Sequence, residues 1–172
     1  MPLTSPIVPY DEAWPVLYDV ERLRLGAIFK KASHTCHHIG STAVPGLSAK
    51  PEIDVLVVVD PDVDMTAIGG GMTSLGYRRG GEIFPGHHFF KRDENGRRTH
   101  KVHVCGLAHF SIAEFLVFRD QLRAHGEARD AYQALKLKLE ASNTSGIREY
   151  LDGKAPFIHE VLDRAWGHDA NA

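Results

Sequence analysis

Apolar residues recur along this chain with two different periods, and the change of period marks its elements. Trp14, Leu17, Tyr18, Leu25, Ile28 and Phe29 follow helical spacing, with Glu21 the one charged interruption. Asp11 is placed to cap the first turn, where Pro15 is tolerated, so the pattern predicts an amphipathic helix from 11 to about Lys31. Arg22, Arg24, Lys30 and Lys31 form its solvated face. The stretch 53–59 is unbroken Ile, Val and Leu apart from Asp54, which predicts a central strand covered on both faces and ended by Asp60-Pro61-Asp62. Further strands are expected near 35–39, 77–83, 87–92 and 98–105, the last two joined through the hairpin sequence Asp93-Glu94-Asn95-Gly96. Asp64 starts a helix reaching Leu75 that Gly69-Gly70-Gly71 is expected to break or shorten. Ser111-Ile112-Ala113-Glu114 reads as a capping box opening a helix that buries Phe115, Leu116, Phe118 and Leu122. A helix over 127–142, a polar break, the stretch 147–151 and a final helix through Trp166 complete an α+β fold of mixed sheet and packed helices.

The 172 residues suit a single domain, its sheet within about 1–108 and a helical part over about 109–168. A net charge of -2 asks for neither a nucleic-acid nor a membrane partner, so any anion site must be local. No apolar run approaches the ~18 residues of a membrane span, and a cytoplasmic protein is expected. Cys36 and Cys105 lie in strand-like contexts as small buried hydrophobes, without CxxC spacing.

Chemistry is expected at the turn from His38 to Asp54. Gly40 and Gly46 permit backbone angles closed to other residues, while Ser41, Thr42 and nearby amides can aim donors at an anion. Asp54 enters an apolar strand and needs hydrogen bonds, a cation or a metal; it is either a ligand or a structural acceptor for the turn. His38 is either a wall of the site or a core histidine. Lys50 can reach a phosphate from the turn. His100 and His103 have odd spacing, so at most one faces Asp54; His103 is the better choice as a ligand, and His100, with His38, is expected in the pocket. Arg119 and Arg123, four apart on one helix face, suit phosphate, as does Lys154; helix-surface salt bridges, with Asp120 for instance, are the alternative.

The blocks HIGSTAVPGLSAKPEIDVLVVV, THKVHVC, FRDQLRAH with YQALK, and EYLDGKAPFI resemble successive blocks of the GrpB family in their order. That family resembles the nucleotidyltransferase superfamily of polymerase-β-like fold, and the resemblance implies a link to coenzyme A metabolism. It implies that Gly40 and Ser41 contact phosphate and that Asp54 holds a divalent metal, Mg²⁺ or Mn²⁺, for a bound nucleoside triphosphate or other phosphorylated small molecule. The superfamily's second carboxylate position is Leu56 here, and Glu52/Asp54 is the shifted pair that can replace it, provided the strand has begun by 52. The third acidic position falls within 100–103, where His103 is the available ligand. Two functions follow: a metal-dependent nucleotidyl transfer, or a catalytically degenerate domain that kept the pocket. A hydrolase built on the histidines lacks HxH or HExxH spacing in a convincing place.

Overall fold

The computed structural model describes residues 5–30, 34–60 and 62–167, so Lys31 and Pro61 lie outside the described residues. In chain order the elements are α1 (Ala13–Phe29), β1 (His34–Ile39), a 3₁₀ turn (Ser41–Ala43), β2 (Ile53–Val59), α2 (Met65–Ser74), β3 (Arg78–Phe84), β4 (His87–Glu94), β5 (Arg97–Gly106), α3 (Phe110–Ala124), α4 (Gly126–Ser142) and α5 (Ile147–Ala165). The five strands form one mixed sheet in the order β1-β2-β5-β4-β3. β2 lies antiparallel to β1 and parallel to β5, so the 53–59 stretch is interior, as its composition requires.

Alternation along β2 divides the core. Ile53, Val55, Val57 and Val59 join Val102, Val104 and Phe90 under Leu25 and Phe29 of α1 and Ile68 and Met72 of α2. Leu56 and Val58, with Ile39 and Cys105, pack against Ile112, Phe115 and Leu116 of α3 on the opposite face. Residues 55–59 are all buried, each side chain contributing roughly 1.5–3 kcal/mol of transfer free energy. A third cluster, including Val44, Leu47, Leu122 and Tyr132, ties the chain after the 3₁₀ turn to α3, α4 and α5. Among the described residues, no helix is long and apolar enough to cross a membrane.

Glu21, the interruption in the α1 stripe, is buried and fully engaged. Arg92 donates to both its oxygens at 3.0 Å, and Tyr77 Oη donates at 3.0 Å. The hairpin forms where expected, with Asn95 and Gly96 both at positive φ (52° and 75°).

Three expectations are corrected. α2 runs through its three glycines: Asp64 caps it, accepting from Thr66 N and Ala67 N, and a Cβ on Gly71 would lie 2.7 Å from Ile28 Cγ2. Glycine there lets α2 close on α1, which offsets its poor helix propensity. The capping box at Ser111 does not form, because the turn after β5 starts the helix earlier. His109 N donates to Gly106 O, and His109 Nδ1 accepts from Ser111 N as the cap. Residues 147–151 and the terminal segment are one helix, α5, which carries Pro156 in its interior. Packing of Tyr150, Val161 and Leu162 on one side of α5 outweighs the ~3 kcal/mol cost of that proline.

Candidate functional site

The site begins where β1 gives way to the 3₁₀ turn. Ile39 pairs with Asp54 across the β1/β2 ladder, which brings the carboxylate under the turn. Gly40 has φ 71°, and a Cβ at that position would lie 2.5 Å from Asp54 Oδ2, so only glycine fits. Behind the turn, Thr42 Oγ1 donates to Glu52 O at 3.3 Å and takes a hydrogen bond from His38 Nε2 at 3.0 Å. His38 is buried, stacks on Tyr18 at 4.7 Å, and is driven down to a pKa of about 4 by burial and by Arg123 and Arg119. It is therefore a core histidine that holds the turn, and the Thr42 hydroxyl points into the same structural network.

Glu52 and Asp54 meet over one ammonium. β2 begins only at Ile53, one residue after Glu52, yet both carboxylates reach Lys101 of β5, whose Nζ lies 2.5 Å from Glu52 Oε2 and 3.6 Å from Asp54 Oδ1. The parallel register that sets Asp54 opposite Lys101 makes this possible. Burial raises the Asp54 pKa and Lys101 opposes the rise. For Lys101, burial acts to lower the pKa, but Asp54 and Glu52 together outweigh it and hold the group above its usual value. Among the described residues, no hydrogen bond from the Gly40-Ser41 turn reaches Asp54, so its observed partner is a cation. Leu56, at the expected second carboxylate position, is core.

Three more lysines converge here. Lys136 of α4, only 2% exposed, donates to Ser41 Oγ at 3.0 Å and to Ser48 O at 2.5 Å, and lies over the Tyr132 ring. Lys50 and Lys154 both lie over the ring of buried Tyr150, at 5.3 and 4.6 Å, and Lys50 Nζ is 3.8 Å from Glu52 Oε1. Burial, with Lys154 and Lys50 nearby, pulls Lys136 down to about 7; burial, with Lys101 and Lys50, pulls Lys154 down to about 8. Lys50 is also lowered by burial, against the pull of Glu52. A cavity of about 90 Å³ lies among these groups, with four ammonium side chains facing two carboxylates. Such a cavity is short of negative charge, and an anion in it would relieve the repulsion between its lysines.

Arg119 and Arg123 clamp the turn from α3. Arg119 donates to His38 O at 3.0 Å and Arg123 to Ala43 O at 2.8 Å. Asp120 takes a two-point contact from Arg119 (2.8 and 3.0 Å) and lies 3.8 Å from Arg123. Arg119 and Lys154 line a second cavity of about 280 Å³, bounded also by Gly40, Asp54, Phe115 and Phe118. This volume is near the lower end of the ~300–1,000 Å³ of small-molecule pockets, and Ser41, Asp54 and Lys154 border both cavities.

The two β5 histidines fall on opposite faces, as their spacing requires. His100 is corrected from a pocket position: it lies 2.8 Å from Arg92 in the Glu21 cluster under α1. His103 shares the Asp54 face, but its Nδ1 is 2.8 Å from His87 Nε2 and it borders neither cavity. The sequence does not single out Lys101, and it ranks Lys136 and Tyr150, which lie in the matching blocks, below Arg119, Arg123 and Lys154. EYLDGK carried a usable signal for Tyr150, which lies four residues before Lys154 and hence on the same face of α5.

Comparisons with known proteins give the family of the chain and the kinship of its fold. The family model of the GrpB protein matches residues 5–164. The UPF0157 protein YqkA of Bacillus subtilis is 35% identical over 160 residues, 92% of this chain but 46% of YqkA, so the chain spans less than half of that relative. The glutamate-rich protein GrpB of Alkalihalophilus pseudofirmus is 30% identical over 165 residues, covering 91% of this chain and 93% of that one. The crystal structure of GrpB from Enterococcus faecalis superposes with a TM-score of 0.85 at 30% identity, over 93% of this chain and 96% of that chain. The Cid1 poly(U) polymerase, in a structure with Mg 3′-dATP bound, superposes with a TM-score of 0.58 at 13% identity, over 86% of this chain and 49% of that one. That likeness is one of fold, which is nucleotidyltransferase-like. With the match extending over nearly its whole length, the chain belongs to the GrpB family.

Proposed function

We propose that this protein binds a nucleoside triphosphate or a related phosphorylated small molecule, with its phosphates on Lys50, Lys136, Lys154 and the Gly40-Ser41 turn, and its organic part in the cavity beside Phe115 and Phe118. The observation that carries the reading is the lysine cluster around one cavity, where burial first and neighbouring lysines second pull Lys136 down to about 7 and Lys154 down to about 8. Each contact of an ammonium with a phosphate oxygen is a charge-assisted hydrogen bond in a partly dehydrated site, worth about 1.5–3 kcal/mol. Ser41, with Lys136 on its hydroxyl, sets the far wall.

Glu52 and Asp54 offer the oxygen donors that a hard divalent ion takes, but the position between them is held by Lys101 Nζ. As arranged, the pair fits an ammonium, and Lys101 supplies the cation. The reading therefore takes phosphate binding to be independent of Mg²⁺ and assigns no transfer step.

A second reading, metal-dependent nucleotidyl transfer, draws support from the same two carboxylates standing on one side of the site and from the Mg-bound nucleotide of Cid1. Calorimetric titration with ATP, GTP, CTP, UTP and inorganic triphosphate, in EDTA and in Mg²⁺, separates the two. Binding in EDTA supports the first reading. Binding only with Mg²⁺, accompanied by pyrophosphate release, supports the second, and no binding under either condition defeats both.

A further inference from the structure

At the other end of β5, on the same sheet face, lies a second polar cluster. Cys105 lies four residues beyond Lys101, about 13 Å along the strand. It pairs with His87 across the β4/β5 ladder, and His109 follows on the turn into α3. One donor atom from each of His87, Cys105 and His109 lies within 4.8 Å of the others.

Three features distinguish this cluster from a chance gathering of histidines. His87 is 2% exposed, and its Nδ1 is buried without a hydrogen-bond partner, a costly arrangement for a ring nitrogen. The other nitrogen, Nε2, is 2.8 Å from His103 Nδ1; a proton on Nε2 donated to His103 leaves Nδ1 as a bare lone pair. Orientation of one imidazole nitrogen by a neighbour, leaving the other to bind, is how metal-ligating histidines are held. His109 uses Nδ1 to cap α3 through Ser111 N, which leaves its Nε2 uncommitted. Phe84 and Phe115 lie against the His87 ring, and Phe110 stacks on His109.

We infer that His87, Cys105 and His109 form a binding site for one zinc-like transition-metal ion, with His103 positioning His87. One thiolate and two imidazoles are the borderline-soft donor set that zinc takes and that Mg²⁺ does not. Tetrahedral zinc needs ligand atoms about 3.5 Å apart, given Zn–N near 2.0–2.1 Å and Zn–S near 2.3 Å, so a contraction of at most about 1.3 Å completes the geometry. Binding converts the Cys105 thiol to thiolate and releases its proton to solvent. Three protein ligands leave the fourth tetrahedral position to a solvent or substrate ligand. The site lies apart from the lysine cavity and is independent of what that cavity binds.

The test uses the whole chain, stripped with a chelator and titrated with Co²⁺ and then with Zn²⁺ against a chromophoric competitor. One equivalent of Co²⁺ should bind with a thiolate-to-cobalt charge-transfer band that Zn²⁺ displaces. Cys105→Ser should abolish the band, and His109→Asn, which keeps a helix-capping acceptor but loses the imidazole, should weaken zinc binding at least tenfold. Circular dichroism of each variant confirms its fold. Absence of a stoichiometric band in the parent protein, or equal zinc affinity in folded His109→Asn, overturns the inference.

Discussion

The two faces of the sheet treat buried charge in opposite ways. Under α1, Glu21 takes two guanidinium contacts from Arg92 and one from Arg24 at 3.1 Å, with a further hydrogen bond from Tyr77. Under α3–α5, Lys136 and Lys154 are held down by burial and then by neighbouring lysines, and the cavity they line sets four ammonium groups against the carboxylates of Glu52 and Asp54. Buried charges of opposite sign paired in this way fix structure. An unbalanced cluster costs stability in the free protein and is repaid only when something anionic arrives.

That contrast is broken most severely from the satisfied side. Glu21→Ala leaves Arg92 buried without its principal counter-charge and should cost about 3–5 kcal/mol in urea unfolding. Triphosphate affinity of the protein that remains folded should be unchanged, since Glu21 lies on the opposite face of the sheet. A cost below about 1 kcal/mol would mean that water already screens the pair.

The unbalanced side responds to pH. Lys154 and Lys136 carry folded-state pKa values of about 8 and about 7, below the 10.5 of an unperturbed lysine. Their destabilisation is complete below about pH 6, where folded and unfolded chains are both protonated. Between about pH 7 and about 10.5 the unfolded chain binds more protons, so their contribution to stability rises with pH. Unfolding free energies measured at pH 7 and pH 9 should therefore show a smaller gain for Lys154→Met than for the parent, and the variant should be the more stable of the two at pH 7. An identical pH dependence would contradict the picture of Lys154 as a repelled cation.

Asp54→Asn should have the smallest effect. Its carboxylate is raised by burial, receives no hydrogen bond from the Gly-Ser turn among the described residues, and shares Lys101 with Glu52. The apo melting temperature should stay level or rise by a few degrees, because the amide avoids the desolvation of a charge. A marked fall would restore the structural-acceptor reading of Asp54.

These contrasts also show what the sequence could reveal. Periodicity located β2 and its neighbours because burial on two faces demands an apolar run. The Gly40-Ser41 turn was legible as a turn from its small residues, and Asp54 as the one charge in an apolar strand. Lys101 was not, because its place between Glu52 and Asp54 depends on a parallel register between segments 47 residues apart. Lys136 meets Ser41 across 95 residues, a contact that only the packing of α4 creates. His100 was misplaced because its partner, Arg92, comes from a different strand, and odd spacing says that two histidines diverge without saying which faces the site.

The central claim is that the lysine cluster is an anion site that needs no divalent ion. Calorimetric titration of inorganic triphosphate into the parent protein and into folded Lys136→Met and Lys154→Met variants, in EDTA at pH 7, tests it most directly. The account predicts binding to the parent, weakened at least tenfold in each variant by loss of a charge-assisted contact. Equal affinity in all three proteins, or binding that appears only when Mg²⁺ is added, would contradict it.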